Sequence, residues 1–292
     1  MSGKIIITDS AEEISLLWGK IQRLRGSSAV ATWEAISTFM NVKNESLLFT
    51  ELLGVLARRL SQLRQLVLTT KHPAVGETYR TQLSGSIDAL GSWITPSNLN
   101  NDWSFMKDKV HRSDIGLVAS FGHVARAHRP LRLVSEEEVK GIVEQITVLL
   151  EELETENELV PWASQMIRSS LTQTLIILRY LPIFGHEVLV DGLGDLKEKT
   201  YFLQVESEKK GDQIATPQGK ATLLKTANVV IFALNLVAVP PQAEEYSWWY
   251  ASKAMGLYEN FLTIEHSGDD DENQRMPNAL PAKKKEDDEQ EQ

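Results

Sequence analysis

The chain has 292 residues, 42% of them apolar and 24% charged, enough to fill one large core or two ordinary ones, so disorder throughout is excluded. It contains no cysteine, which removes disulfide frameworks, cysteine-rich zinc sites and thiol nucleophiles together. The formal charge of −10 disfavours a nucleic-acid coat or an anionic membrane surface as the main partner.

At the start, Ile5-Ile6-Ile7 is far too short an apolar stretch for a signal peptide, and a cytoplasmic location is the expectation. Ser10 and Glu13 form a capping-box pattern ahead of Leu16, Leu17, Ile21 and Leu24, which predicts a helix near 10–25. In 44–71 the residues Phe49, Leu53, Leu56, Leu60, Leu63 and Val67 recur at steps of four and three, with Arg58, Arg59, Gln62 and Arg64 between them. That spacing predicts one amphipathic helix about 40 Å long, and its extra apolar positions suit a central strut. Tyr79, Leu83, Ile87, Leu90 and Trp93 mark a further helix, followed by a polar loop at 95–102.

The second half opens on another capping box, Ser135 and Glu138, ahead of Val139, Ile142, Ile146, Leu149 and Leu153. Pro161 suits the first turn of the next helix, which carries Trp162, Ile167, Leu171, Leu175 and Leu178 until Pro182 and Gly185 break it. Further helices are expected at 186–208, 217–238 and 243–263. Residues 221–239 have the length of a membrane span, but Lys225, Asn228 and Asn235 interrupt them, so a buried core helix is the better reading. Only Ile5-Ile6-Ile7 and Val188-Leu189-Val190 look β-like. The expectation is an all-α protein, a multi-helix bundle or stacked helical hairpins. It would comprise an N-terminal helical subdomain at 1–130, a C-terminal one at 131–266 and a disordered charged tail at 267–292. The stretch 268–292 alone holds nine acids against four cations, half of the formal charge.

Four groups of residues bear on function. Segment 107–132 concentrates Lys107, Lys109, Arg112, Arg126, Arg129 and Arg132 with His111, His123 and His128. Arg112, His123, Arg126, Arg129 and Arg132 could therefore hold a phosphate ligand or a nucleic-acid strand, though an ordinary solvated basic face has the same composition. His111 and Asp114 share a helical face without a third ligand, and Val190 stands where a zinc-protease helix beginning at His186-Glu187 needs its second histidine. No metal and no cofactor is expected. Gly192-Leu193-Gly194 lacks the third glycine of a dinucleotide loop.

Arg179 followed after six residues by His186, in an all-helical chain, resembles the Arg-x(4–6)-His motif of HEPN ribonucleases. The resemblance implies metal-independent RNA cleavage, with both residues acting on the 2′-hydroxyl and the scissile phosphate, usually within a dimer. Tyr180 departs from that pattern by replacing the polar residue common after the arginine. The fourth group is aromatic: Tyr246, Trp248, Trp249 and Tyr250 are candidate anchors of a partner or self-association interface. Taken together, these features favour a non-catalytic protein–protein interaction protein: an adaptor, an inhibitor or immunity protein, or a structural subunit. A ribonuclease and a phosphate or nucleic-acid binder are the alternatives.

Overall fold

The computed structural model describes residues 6–24, 30–155 and 158–237. They are almost wholly helical and belong to one compact unit, Met1–Val239. The aromatic group 246–250, the predicted helix 243–263 and the charged tail lie outside the described residues.

β1 (Ile7–Thr8) leads into α1 (Ser10–Gln22). The cap of α1 is Asp9, whose carboxylate accepts the N–H of Glu12 at 2.8 Å, so the helix is capped one residue before the predicted Ser10. There follow α2 (Thr32–Met40), α3 (Leu47–Thr69) and α4 (Glu77–Gly91). Ser46 caps α3, and its far end is closed from outside: the Arg80 guanidinium, on α4, donates to the carbonyls of Val67, Leu68 and Thr70. The predicted loop at 95–102 contains a short helix, α5 (Pro96–Leu99), which opens on a proline whose missing N–H costs nothing in a first turn. α6 (Trp103–Lys109), α7 (Arg112–Ser120) and α8 (Gly122–His128) complete this group.

β2 (Leu131–Arg132) pairs antiparallel with β1, Ile7 opposite Arg132 and Thr8 opposite Leu131. The second β-like stretch, Val188-Leu189-Val190, is helical, because three apolar residues inside a longer run of helical spacing follow the run. α9 (Glu136–Thr155) has the reciprocal cap read from the sequence: Glu138 N–H donates to Ser135 Oγ, and Ser135 N–H to Glu138 Oε2. It is followed by α10 (Pro161–Arg179), α11 (Leu181–Lys210) and α12 (Pro217–Val237).

α9 to α12 form a four-helix bundle in which α11 packs on α10 and α12, and α9 closes the ring against the same two. α12 is long and apolar enough to cross a membrane by composition, with a mean hydropathy of 1.4. In this fold Leu223, Ala227, Val230, Ala233 and Val237 of that helix are buried, and it packs on α9 and α11. Among the other helices α1 touches α3, α7, α8 and α11, and the predicted strut α3 touches α1, α4, α11 and the turn Ser92–Ile94, so the two share the centre. α3 buries Phe49, Leu52, Val55, Leu56, Leu60, Leu63 and Val67 along one stripe, and α1 buries Ala11, Ile14, Leu17, Trp18 and Ile21. Trp18 further ties α1 to α4 by donating its indole N–H to Leu90 O at 3.0 Å.

Candidate functional site

α11 begins with a distortion. Gly185 has φ 79° and ψ 160°, a region open essentially to glycine alone, and the chain resumes its helix immediately afterwards. Into this kink reaches Arg59 from α3, on the same buried stripe as Leu52, Leu56 and Leu63. Its guanidinium donates to Ile183 O at 2.9 Å and to Glu13 Oε2 at 2.8 Å. Burial pulls Arg59 below its ordinary pKa, and the charges of Glu13 and Glu187 oppose that.

His186 completes the group. Its Nδ1 lies 2.8 Å from Glu13 Oε1, its backbone N–H donates to Glu13 Oε2, and its Nε2 accepts the N–H of Val134 at 3.1 Å. An Nε2 that accepts places the proton on Nδ1, so the ring is neutral and both nitrogens are committed. Arg179 is exposed on the last turn of α10, whereas His186 is only 6% exposed. The cation that meets the partner of His186 is Arg59, one of the polar residues between the apolar steps of its helix. The signal for Arg59 was its spacing, seven residues after Leu52 and four before Leu63. Chemically this buried group locks α1, α3 and α11 together and offers neither imidazole nitrogen to a substrate.

The basic segment divides in two. Arg126 bridges Glu12 at 2.8 Å and the fully buried carboxylate of Asp9 at 3.2 Å. Burial raises the pKa of Asp9, although its hydrogen bond from Glu12 N–H and the charge of Arg126 work the other way. Arg129 reaches Glu187 at 3.0 Å and Asp191 at 2.6 Å; burial would lower its pKa, but these two carboxylates more than offset it and the net direction is upward. Arg132 pairs with Glu138 at 2.6 Å, and His123 Nδ1 lies 2.8 Å from Ser120 O. Three of the five predicted binding residues are thus joints between elements: Arg126 between α8 and α1, Arg129 between the end of α8 and α11, Arg132 between β2 and α9.

Arg112 is placed differently. It lines an open cleft of about 700 Å³ together with Gly19, Gln22 and Arg23 of the α1 end and Lys107, Asp108, Val110, His111 and Ile115 of α6, α7 and their link. Gln22 Nε2 donates to Val110 O at 2.7 Å and fixes the two walls to each other. Among the described residues no carboxylate forms an ion pair with Arg23, Lys107 or Arg112. Sequence reasoning found Arg112, Lys107 and His111 but not Arg23, which is 89 residues from Arg112 and arrives only through packing of α1 on α7. Asp114, weighed as a metal ligand with His111, uses Oδ2 to accept the N–H of His111 and Oδ1 to accept Ser86 Oγ–H.

Large apolar side chains also face outward. Trp162 is 49% exposed, Tyr201 45%, Phe202 50% and Phe232 44%. The Lys199–Ser170 hydrogen bond and the close approach of Gly192 to Ile177 fix α10 and α11 antiparallel, which sets Phe202 level with Ile167, within two turns of Trp162. Compared with family models, curated proteins and solved structures, the chain matches none.

Proposed function

We propose that the chain is a non-catalytic helical protein–protein interaction protein, an adaptor, an inhibitor or a structural subunit of a larger assembly. The observation that supports this reading is the direction in which its chemistry faces. The buried ionisable side chains Asp9, Arg59 and His186 are each engaged by other groups of the same fold. Outside, Trp162, Tyr201 and Phe202 present aromatic surface on one end of the α10–α11 pair. Such side chains bury much area at small entropic cost and anchor protein interfaces. The partner that fits them is a protein with an apolar patch of its own.

The test is the composition of the native assembly. A second protein in fixed stoichiometry is expected, and joint Trp162→Ser and Phe202→Ser substitution should weaken its association by about 30-fold or more, the scale of a truncated hot spot. Both residues are half-exposed, so the unfolding midpoint should barely move. A chain that is monomeric with no fixed-ratio partner, or an assembly indifferent to both substitutions, overturns the reading.

A further inference from the structure

We propose that the cleft between the end of α1 and the α6–α7 link binds a small phosphate-bearing anion of nucleotide size through Arg23, Lys107 and Arg112. Three cationic side chains line it together with one carboxylate, Asp108. A surplus of two positive charges in a concavity suits a ligand carrying two or three negative ones, and guanidinium groups match phosphate oxygens with paired donors. The volume of about 700 Å³ lies within the ordinary range for small-molecule sites. Ile115, partly exposed, gives the cleft an apolar component against which a base or sugar can lie.

Gly19 lines the same cleft. It lies inside α1, where glycine costs about 1 kcal/mol relative to alanine. Its backbone is ordinary helix, and a Cβ built on it would meet nothing within 4 Å. As at Gly85, Gly116, Gly141 and Gly194, neither conformation nor packing calls for glycine; at Gly19 the missing side chain leaves the cleft wall low.

A small ligand is favoured over a strand by the fate of the other cations. A nucleic-acid strand needs positive charge tracked along its backbone. Here Arg126, Arg129 and Arg132, which would have to extend the track, are neutralised by Asp9, Glu12, Glu187, Asp191 and Glu138. What remains is a point of charge in a cleft.

The experiment is calorimetric titration of the full chain with ADP, with pyrophosphate, with adenosine and with a single-stranded RNA, in low salt and again in high salt. Saturable binding of ADP and pyrophosphate is expected, weakened by salt and absent for adenosine. Arg112→Glu and Arg23→Glu should each weaken it by about tenfold or more, the scale of a lost charge-assisted hydrogen bond. Gly19→Met tests the cleft without touching charge: it should abolish ADP binding while the unfolding midpoint stays level or rises, so a lost signal cannot be ascribed to a lost fold. Overturning results are no binding of either phosphate probe in low salt, binding unchanged in all three variants, or binding confined to the RNA and sensitive to Arg126→Glu. The aromatic surface at Trp162 and Phe202 is not involved, so neither proposal stands or falls with the other.

Discussion

Gly185→Ala concentrates the physical argument into one methyl group. A Cβ there would collide with Arg59 Nη2 and lie 2.5 Å from its Cζ and 2.7 Å from Glu13 Oε2, with α3 and α1 behind those atoms. Two costs combine. Holding alanine at φ 79° and ψ 160° costs about 1–3 kcal/mol. Displacing Arg59 leaves Glu13 without its buried cation, and breaking a buried pair from one side costs about 3–5 kcal/mol. The sum, about 4–8 kcal/mol, is comparable with the whole stability of an ordinary domain. Urea unfolding followed by circular dichroism should show it, with Gly194→Ala as control. That glycine is also in α11, but a Cβ on it meets nothing, so alanine should gain about 0.5–1 kcal/mol. The decisive measurement repeats the substitution with Arg59→Met already present, a background that has already given up the Glu13 pair and is compared only with itself. The methyl group then meets the movable methionine chain and the end of Glu13, which no longer has a guanidinium holding it in place, and mainly the backbone part, about 1–3 kcal/mol, should remain. Equal costs with and without Arg59, or a single-variant cost below about 1 kcal/mol, would refute the reasoning.

His186→Ala strips the Val134 N–H of its acceptor and Glu13 of one donor; a loss of about 2–4 kcal/mol is expected in chemical unfolding, with no RNA cleavage to lose. Robust cleavage by the wild-type chain that vanished in a still-folded His186→Ala would reverse that view. For Asp9 the sign runs against the usual carboxylate. Its folded pKa lies above the ordinary 3.8, so the folded chain binds the proton more tightly than the unfolded chain, and stability falls as pH rises from about 3.8 through the raised value. Asp9→Asn keeps the cap acceptor and should remove that decline relative to wild type, visible as a flatter dependence of the unfolding midpoint on pH. Arg129→Ala should cost about 1 kcal/mol, less in high salt, because its two ion pairs are partly exposed; a cost that salt does not change would point to packing instead.

Much of the helical frame could be read along the chain, because apolar steps of three and four, Ser135 with Glu138, and Pro161 are local signals that the fold obeys locally. Arg59 shows where such reading stops. Its spacing puts it on the buried stripe of α3, yet a charge suggests the polar side until Glu13, 46 residues earlier, and the carbonyls of Pro182 and Ile183, more than 120 later, are known to meet it. Gly185 was legible as a break; its role as the room for a guanidinium was not, since that depends on three elements converging. The basic segment was opaque in the same way. Arg126 and its acids are separated by 114 and 117 residues, so composition could not tell a joint from a binding surface. Tertiary placement also made the cleft, by bringing Arg23 to Arg112.

Placement of the cations has an energetic consequence of its own. Arg23, Lys107 and Arg112 face one cleft with only Asp108 among them, so the empty cleft carries repulsion that the paired Arg126, Arg129 and Arg132 escape. Arg112→Glu should therefore leave the unliganded chain as stable as wild type or more so, which is unusual for charge reversal. An anion that binds only the folded chain adds about 2.7 kcal/mol at a hundred times its dissociation constant, and that corresponds to a rise of about 5–11 °C in unfolding midpoint for a domain of this size. Wild type should show this rise with ADP in low salt, and Arg112→Glu should not. If instead the variant unfolds well below wild type, Arg112 belongs with the joints, and the cleft loses the residue on which its charge depends.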